Sequence, residues 1–211
     1  MKYFSLDLET TGLDPDSCQI LEFGAIFEDT DDPKSYEESS KFHAILKHDQ
    51  IVGQPFALQL NNRLLRIISG VDDIPEGCEI YESDPNSMSV RVDGDNHTLI
   101  RGDAESKMIN DFIDWCQQCL GEKNKFRINV AGKNVAGFDI SFLKPHIPEG
   151  PWGNLFRHRV LDPSILYFDE EDEGLPNLET CLYRAKLGDP TDLHSALGDC
   201  WDVIRLLRNK L

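Results

Sequence analysis

Lys2-Tyr3-Phe4-Ser5-Leu6-Asp7-Leu8-Glu9-Thr10-Thr11-Gly12-Leu13 opens the chain and decides how the rest is read. Apolar and polar side chains alternate from Lys2 to Leu8, and Thr-Thr-Gly-Leu-Asp-Pro then signals a turn, so a buried strand ending in a turn is expected. Strand side chains point alternately to two faces. Asp7 and Glu9 therefore project to one side at the C-terminal end of the strand, Leu6 and Leu8 to the other. Two carboxylates there cost stability unless they are paired or hold a hard divalent cation, although a D-x-E tripeptide alone equally suits solvated charge.

Outward from this strand, a second is expected at Gln19–Glu28 and, after the acidic, turn-rich stretch 29–40, a third at Lys41–Lys47. Together they make an antiparallel opening of three strands. Pro55 starts an amphipathic helix through Ala57, Leu58, Leu60, Leu64, Leu65 and Ile68, with Gly70 as its stop. Residues 71–102 change character: Cys78–Tyr81, Met88–Val92 and His97–Ile100 are short β-like runs between turn signals, read as an inserted β-hairpin or small meander. A helix at 104–120, a strand at Phe126–Ala131, a helix near Ser141, a short strand at Arg159–Leu161 and helices at 177–187 and 195–210 complete the chain. Strands first and alternating helix and strand afterwards indicate an α/β chain with a mixed sheet covered by helices, forming one domain over residues 1–211. No internal repeat appears.

Two further carboxylates stand at element junctions. Asn134-Val135-Ala136-Gly137-Phe138-Asp139 follows an apolar strand, so Asp139 falls near a helix start, where an isolated Asp would most simply be an N-terminal cap. Gly132-Lys133 at the same junction is not a phosphate-binding loop, because Asn134 stands where Ser or Thr is needed and the upstream Gly is missing. His194-Ser195-Ala196-Leu197-Gly198-Asp199 opens the last helix, and a His just before the first turn can swing toward the side occupied by Asp199. Taken alone, the segment reads as a polar helix start. Ser195 lacks the GxSxG surroundings of a serine hydrolase nucleophile. Cys116 and Cys119 form a lone CxxC on an apolar helix face, which favours packing over zinc or redox use.

Composition bounds the function classes. The 211 residues carry 21 Lys and Arg against 38 Asp and Glu, a net charge of −17, which argues against nonspecific grip on long nucleic acid. Charge is uneven, however: residues 122–160 hold seven basic side chains (Lys123, Lys125, Arg127, Lys133, Lys144, Arg157, Arg159) against three acidic ones, so that one face could attract an anion. No apolar run approaches the roughly 20 residues of a membrane span. The N-terminus lacks the layout of a secretory signal, and six scattered cysteines suit a reducing compartment, so free thiols and a cytoplasmic location are expected.

In order along the chain, Asp7-x-Glu9, Asn134-x3-Phe138-Asp139 and His194-x4-Asp199 resemble the three motifs of the DEDDh-type, DnaQ-like 3′-5′ exonucleases of the ribonuclease H-like superfamily. Leu6–Leu13 matches the first motif closely, and His194 points to the h subtype. The resemblance covers nearly the whole chain apart from residues 71–102. It implies a central five-stranded mixed sheet flanked by helices and a catalytic set of Asp7, Glu9, Asp139, His194 and Asp199. Of these, Asp7, Glu9, Asp139 and Asp199 would serve two divalent cations, Mg²⁺ or Mn²⁺, with Asp139 acting through water and His194 as general base. By the same resemblance Thr10, Thr11, Gly12, Leu13, Asn134 and Phe138 line the 3′-terminal nucleotide. Single-stranded DNA ends are favoured as substrate, with a 3′-5′ exoribonuclease or oligoribonuclease-like enzyme as the alternative and a non-catalytic acidic interaction module as the second. A polymerase or other protein partner fits the resemblance; the oligomeric state is open. Asp162, another carboxylate after a strand, stays outside the expected site.

Overall fold

The computed structural model describes residues 1–82, 89–93, 97–101, 103–121, 127–192 and 194–210, with only the backbone path for 89–93, 97–101, 103, 151 and 152. Its first strand, β1 (Lys2–Thr10), is the centre of the architecture. β2 (Ile20–Asp29) runs antiparallel to it, β3 (Lys41–Lys47) antiparallel to β2, and β4 (Glu79–Glu82) parallel to β3. β5 (Ser89–Asp93) and β6 (His97–Arg101) form a separate antiparallel hairpin, and β7 (Val130–Ala131) pairs in parallel with the other edge of β1. The main sheet is thus five-stranded and mixed, in the order β4-β3-β2-β1-β7.

The period of two in β1 divides the molecule. Phe4, Leu6 and Leu8 enter the larger core, packing with Met108, Ile109, Phe112 and Ile113 of helix α3 (Asp103–Leu120, numbered after the two short helices below). Phe112 meets Phe4, Phe23 and Phe42 edge-on at ring-centroid distances of 6.5, 4.9 and 5.5 Å, an arrangement that aromatic quadrupoles favour. On the opposite face, Tyr3 and Ile26 pack under the last helix against Val203, Ile204 and Leu207. Asp7 and Glu9 share that second face.

The helix expected from Pro55 to Ile68 is two helices, α1 (Pro55–Leu60) and α2 (Asn62–Ile68), parted at the buried Asn61. The Asn61 side chain donates to the Thr10 carbonyl at 3.0 Å, and this tie to the end of β1 interrupts the regular helix. The run at Cys78–Tyr81, expected within the insertion, supplies instead the edge strand β4, because Ile80 and Tyr81 find apolar surface beside β3. The hairpin expected in 71–102 is β5–β6. The strand expected at Phe126–Ala131 is short, with Ile128 making an isolated bridge to Phe156; Arg159–Leu161 is likewise reduced to one bridge between Leu161 and Ala131. Phe126, Lys123 and Lys125 lie outside the described residues, as do most of the turn signals in 71–102.

After β7 come α4 (Asp139–Leu143), α5 (Leu178–Ala185) and α6 (Ala196–Arg208), with three 3₁₀ turns between α4 and α5. Cys116 is buried in the core, Cys119 lies 3.3 Å from the Ser40 hydroxyl, and all six cysteines are free thiols, as helix-face packing requires. Among the described residues no helix is long and apolar enough to cross a membrane.

Candidate functional site

Three elements distant in sequence bring the carboxylates together. β1 presents Asp7 and Glu9 toward α6, while in the β1–β2 register Gly24 lies opposite Asp7 and Glu22 opposite Glu9. Gly24 leaves no room for a side chain: a Cβ there would stand 2.6 Å from the Ala196 carbonyl carbon. The start of α6 therefore lies directly on β2, and Asp199, in its first turn, reaches the two β1 carboxylates. Oxygens of Asp7, Glu9 and Asp199 all lie within 4.8 Å of one another.

Asp139 approaches β1 from the sheet edge. β7 pairs with β1 only at Phe4 and Ser5, so the Leu8 N–H beyond it lacks a strand partner. Asp139 Oδ1 accepts that N–H at 2.9 Å. The carboxylate is buried at the first residue of α4 and is tied to β1, so the simple helix-cap reading does not hold.

Crowding and burial make ionisation costly here. Burial, then Asp139, Asp199, Glu9 and Glu22, hold the Asp7 carboxyl well above the ordinary carboxylate range. Glu9 is pushed up to about 7 by burial, Glu22 and Asp199, against the opposing influence of Asn61 and Arg63. Burial, opposed by its hydrogen bonds and aided by Glu9 and Asp199, raises Asp139 to about 8. Burial with Asp202, Asp192 and Glu22 raises Asp199 to about 7. Converging hard oxygen donors that repel one another are what a divalent cation neutralises, so the Asp7, Glu9 and Asp199 donor set fits a hard divalent cation.

His194 stands exposed just before α6 in a left-handed backbone conformation, φ 59°, and its imidazole makes no hydrogen bond to a described residue. Asn134 is also left-handed, φ 55°. Strained backbone of this kind concentrates at functional loops. Thr10, Thr11 and Gly12 are buried: the Thr10 hydroxyl donates to the Gly12 carbonyl at 2.7 Å, and Thr11 Oγ1 accepts from Gln19 N–H at 2.8 Å. A Cβ on Gly12 would meet Cys18 and Gln54. Leu13 extends into solvent, 73% exposed, and Phe138 is half-buried against Phe142.

Two residues outside the expected set shape this region. Asp162 accepts the Asn134 N–H at 2.9 Å and, through its other oxygen, the Ser164 N–H at 2.9 Å, fixing the loop before Asp139. Glu22 is fully buried beside Glu9. Its signal in the sequence is a lone charge within the apolar run Ile20–Ile26, a placement that needs partners.

The fold has counterparts among solved structures. Escherichia coli Exonuclease I in complex with a dT13 oligonucleotide superposes with a TM-score of 0.58 at 15% identity, over 99% of this chain and 40% of that one. Cell-death related nuclease 4 (CRN-4) gives 0.59 at 13% identity, over 98% of this chain and 62% of the other. The chain has the ribonuclease H-like fold. Exonuclease I of Methylocaldum szegediense shares this fold with a TM-score of 0.58 at 16% identity, over 99% of this chain and 40% of its own. The chain thus spans about two fifths of the length of the Exonuclease I proteins and under two thirds of CRN-4. No family model and no curated protein matches the sequence.

Proposed function

We propose that this protein is a divalent-cation-dependent 3′-5′ exonuclease that removes nucleotides from single-stranded nucleic acid, DNA ahead of RNA. The observation that carries this reading is the convergence of Asp7, Glu9 and Asp199 within 4.8 Å, with Asp139 bound to the same strand. Two neighbours support the polymer: E. coli Exonuclease I is solved with dT13 and with dA16 oligonucleotides.

In this reading Asp7, Glu9 and Asp199 would hold one Mg²⁺ or Mn²⁺, and Asp7 with Asp139 would serve a second. Such cations activate water near neutral pH and stabilise charge on the phosphate and the leaving oxygen. His194, before the first turn of α6, takes a proton from the attacking water on an imidazole nitrogen, a transfer suited to histidine near neutrality. The water oxygen bonds to phosphorus, the bond from phosphorus to the 3′-oxygen breaks, and that oxygen leaves with a proton as a nucleoside 5′-monophosphate is released. Thr10, Thr11, Gly12, Leu13, Asn134 and Phe138 line the terminal nucleotide, and exposed Leu13 offers apolar surface to its base.

The test follows 5′-labelled single-stranded DNA and RNA of equal sequence with Mg²⁺, Mn²⁺ or chelator. A ladder shortening from the 3′ end, lost with chelator and in Asp7→Ala, is the expected result, with DNA degraded faster. Faster RNA degradation reverses the sugar preference. Intact strands with both metals would overturn the enzyme in favour of a binding module.

A further inference from the structure

Glu22 lies outside the three carboxylates that meet, and groups from three other elements hold it. His43 Nε2 lies 2.8 Å from its Oε1, the Arg63 guanidinium 3.2 and 3.4 Å from its two oxygens, and the Ala196 N–H donates to Oε2 at 3.0 Å. Its side chain has no solvent exposure. The three partners come from β3, α2 and the first residue of α6, while Glu22 sits opposite Glu9 across the β1–β2 ladder. A carboxylate saturated in this way is a poor ligand but a firm anchor.

We propose that Glu22 is a positioning residue for the cation site: it binds the first turn of α6 to β2 and so sets Asp199 against Asp7 and Glu9. The inference rests on the proposed cation-binding role of those three carboxylates. Gly24, two residues along, supplies the close approach, and Glu22 supplies the bond that fixes its register. Glu28, farther along β2, offers an internal comparison. It is also buried and pairs with Arg208 of α6 at 2.8 and 2.7 Å, but at the opposite end of the helix.

The experiment measures Mn²⁺ binding directly, by the loss of the free-ion magnetic resonance signal, alongside thermal unfolding, for wild type, Glu22→Gln, Arg63→Gln and Glu28→Gln. Glu22→Gln is expected to stay folded and bind Mn²⁺ about tenfold to a hundredfold more weakly, the range seen when groups orienting metal ligands are removed. Glu28→Gln is expected to lower the melting temperature and leave Mn²⁺ binding within about twofold of wild type, because Asp199 stays in place. Arg63→Gln separates anchoring from simple charge: it removes a positive charge near the cations, so Coulomb attraction alone tightens Mn²⁺ binding, whereas loss of an anchor weakens it. Wild-type affinity in Glu22→Gln, equal weakening in Glu28→Gln, or tighter binding in Arg63→Gln would overturn the proposal. Failure of the wild type itself to bind Mn²⁺ would instead overturn the cation-site reading on which it rests.

Discussion

At His194 the backbone is left-handed, and this shapes the variant that tests its chemistry. Asn tolerates that conformation better than most residues, so His194→Asn removes the imidazole with little added strain. The expected outcome is a kcat roughly 10²- to 10⁴-fold lower, the span for losing a general base, with an almost unchanged melting temperature. An unaltered kcat would assign the proton to another group. Asp139 shows how a residue's meaning depends on its partner: the same carboxyl at a helix start would be a cap, but here it accepts the N–H of Leu8, the residue between Asp7 and Glu9.

The three carboxylates that meet come from two elements, β1 and α6, and α6 is held on the sheet at both ends. At its start the Glu22 contact and the bare Gly24 surface set its height; at its end the Arg208 guanidinium grips Glu28 with two hydrogen bonds. Between them Val203, Ile204 and Leu207 bury the helix face against Tyr3 and Ile26. Gly24→Ala would push a methyl into the Ala196 and Leu197 backbone. It is expected to cost about 1–3 kcal/mol, as overpacking does, and to reduce nuclease activity well below the melting temperature. An Ile204→Val variant, which thins the same interface away from the carboxylates, should lose stability with its activity retained.

For the whole molecule, the site's electrostatics link stability to pH and cations. Glu9 and Asp199 at about 7, Asp139 at about 8 and the raised Asp7 all lie above the unfolded carboxylate values near 4. The folded state therefore binds more protons than the unfolded one over this interval. Their contribution is fully present below about pH 4 and is lost as pH rises through 7 to 8. In chelator the melting temperature is expected to fall between pH 5 and 8, and less steeply in Asp7→Asn. Mg²⁺ at about 100 times its dissociation constant should restore about 2.7 kcal/mol at the upper end. A flat profile in chelator would contradict the buried, crowded carboxylates. The −17 net charge repels a polyanion as a whole, while Lys133, Lys144, Arg127, Arg157 and Arg159 carry no ion pair among the described residues. Lys144→Glu should raise KM for single-stranded DNA and flatten its salt dependence; identical low-salt kinetics would remove this basic surface from substrate capture.

Alternation in Lys2–Leu8 determined the two faces of β1, and local periodicity determined the order of elements, because these depend on neighbours in the chain; the grouping of Asp7, Glu9, Asp139, His194 and Asp199 was implied only by the resemblance of three separated motifs to a known family. Period and turn chemistry also carried the hairpin of 71–102. Tertiary contacts decided the rest. Asn61 broke one expected helix by reaching Thr10, and β4 left the insertion for the sheet edge because its apolar face found β3. Asp139 took the Leu8 N–H because β7 is too short to reach it. Glu22 stands in the sequence as an isolated charge in an apolar run, outside the expected site residues; its partners His43, Arg63 and Ala196 are 21, 41 and 174 residues away in sequence. A buried charge is stabilised only by groups that folding brings to it, and no local pattern records which groups those are.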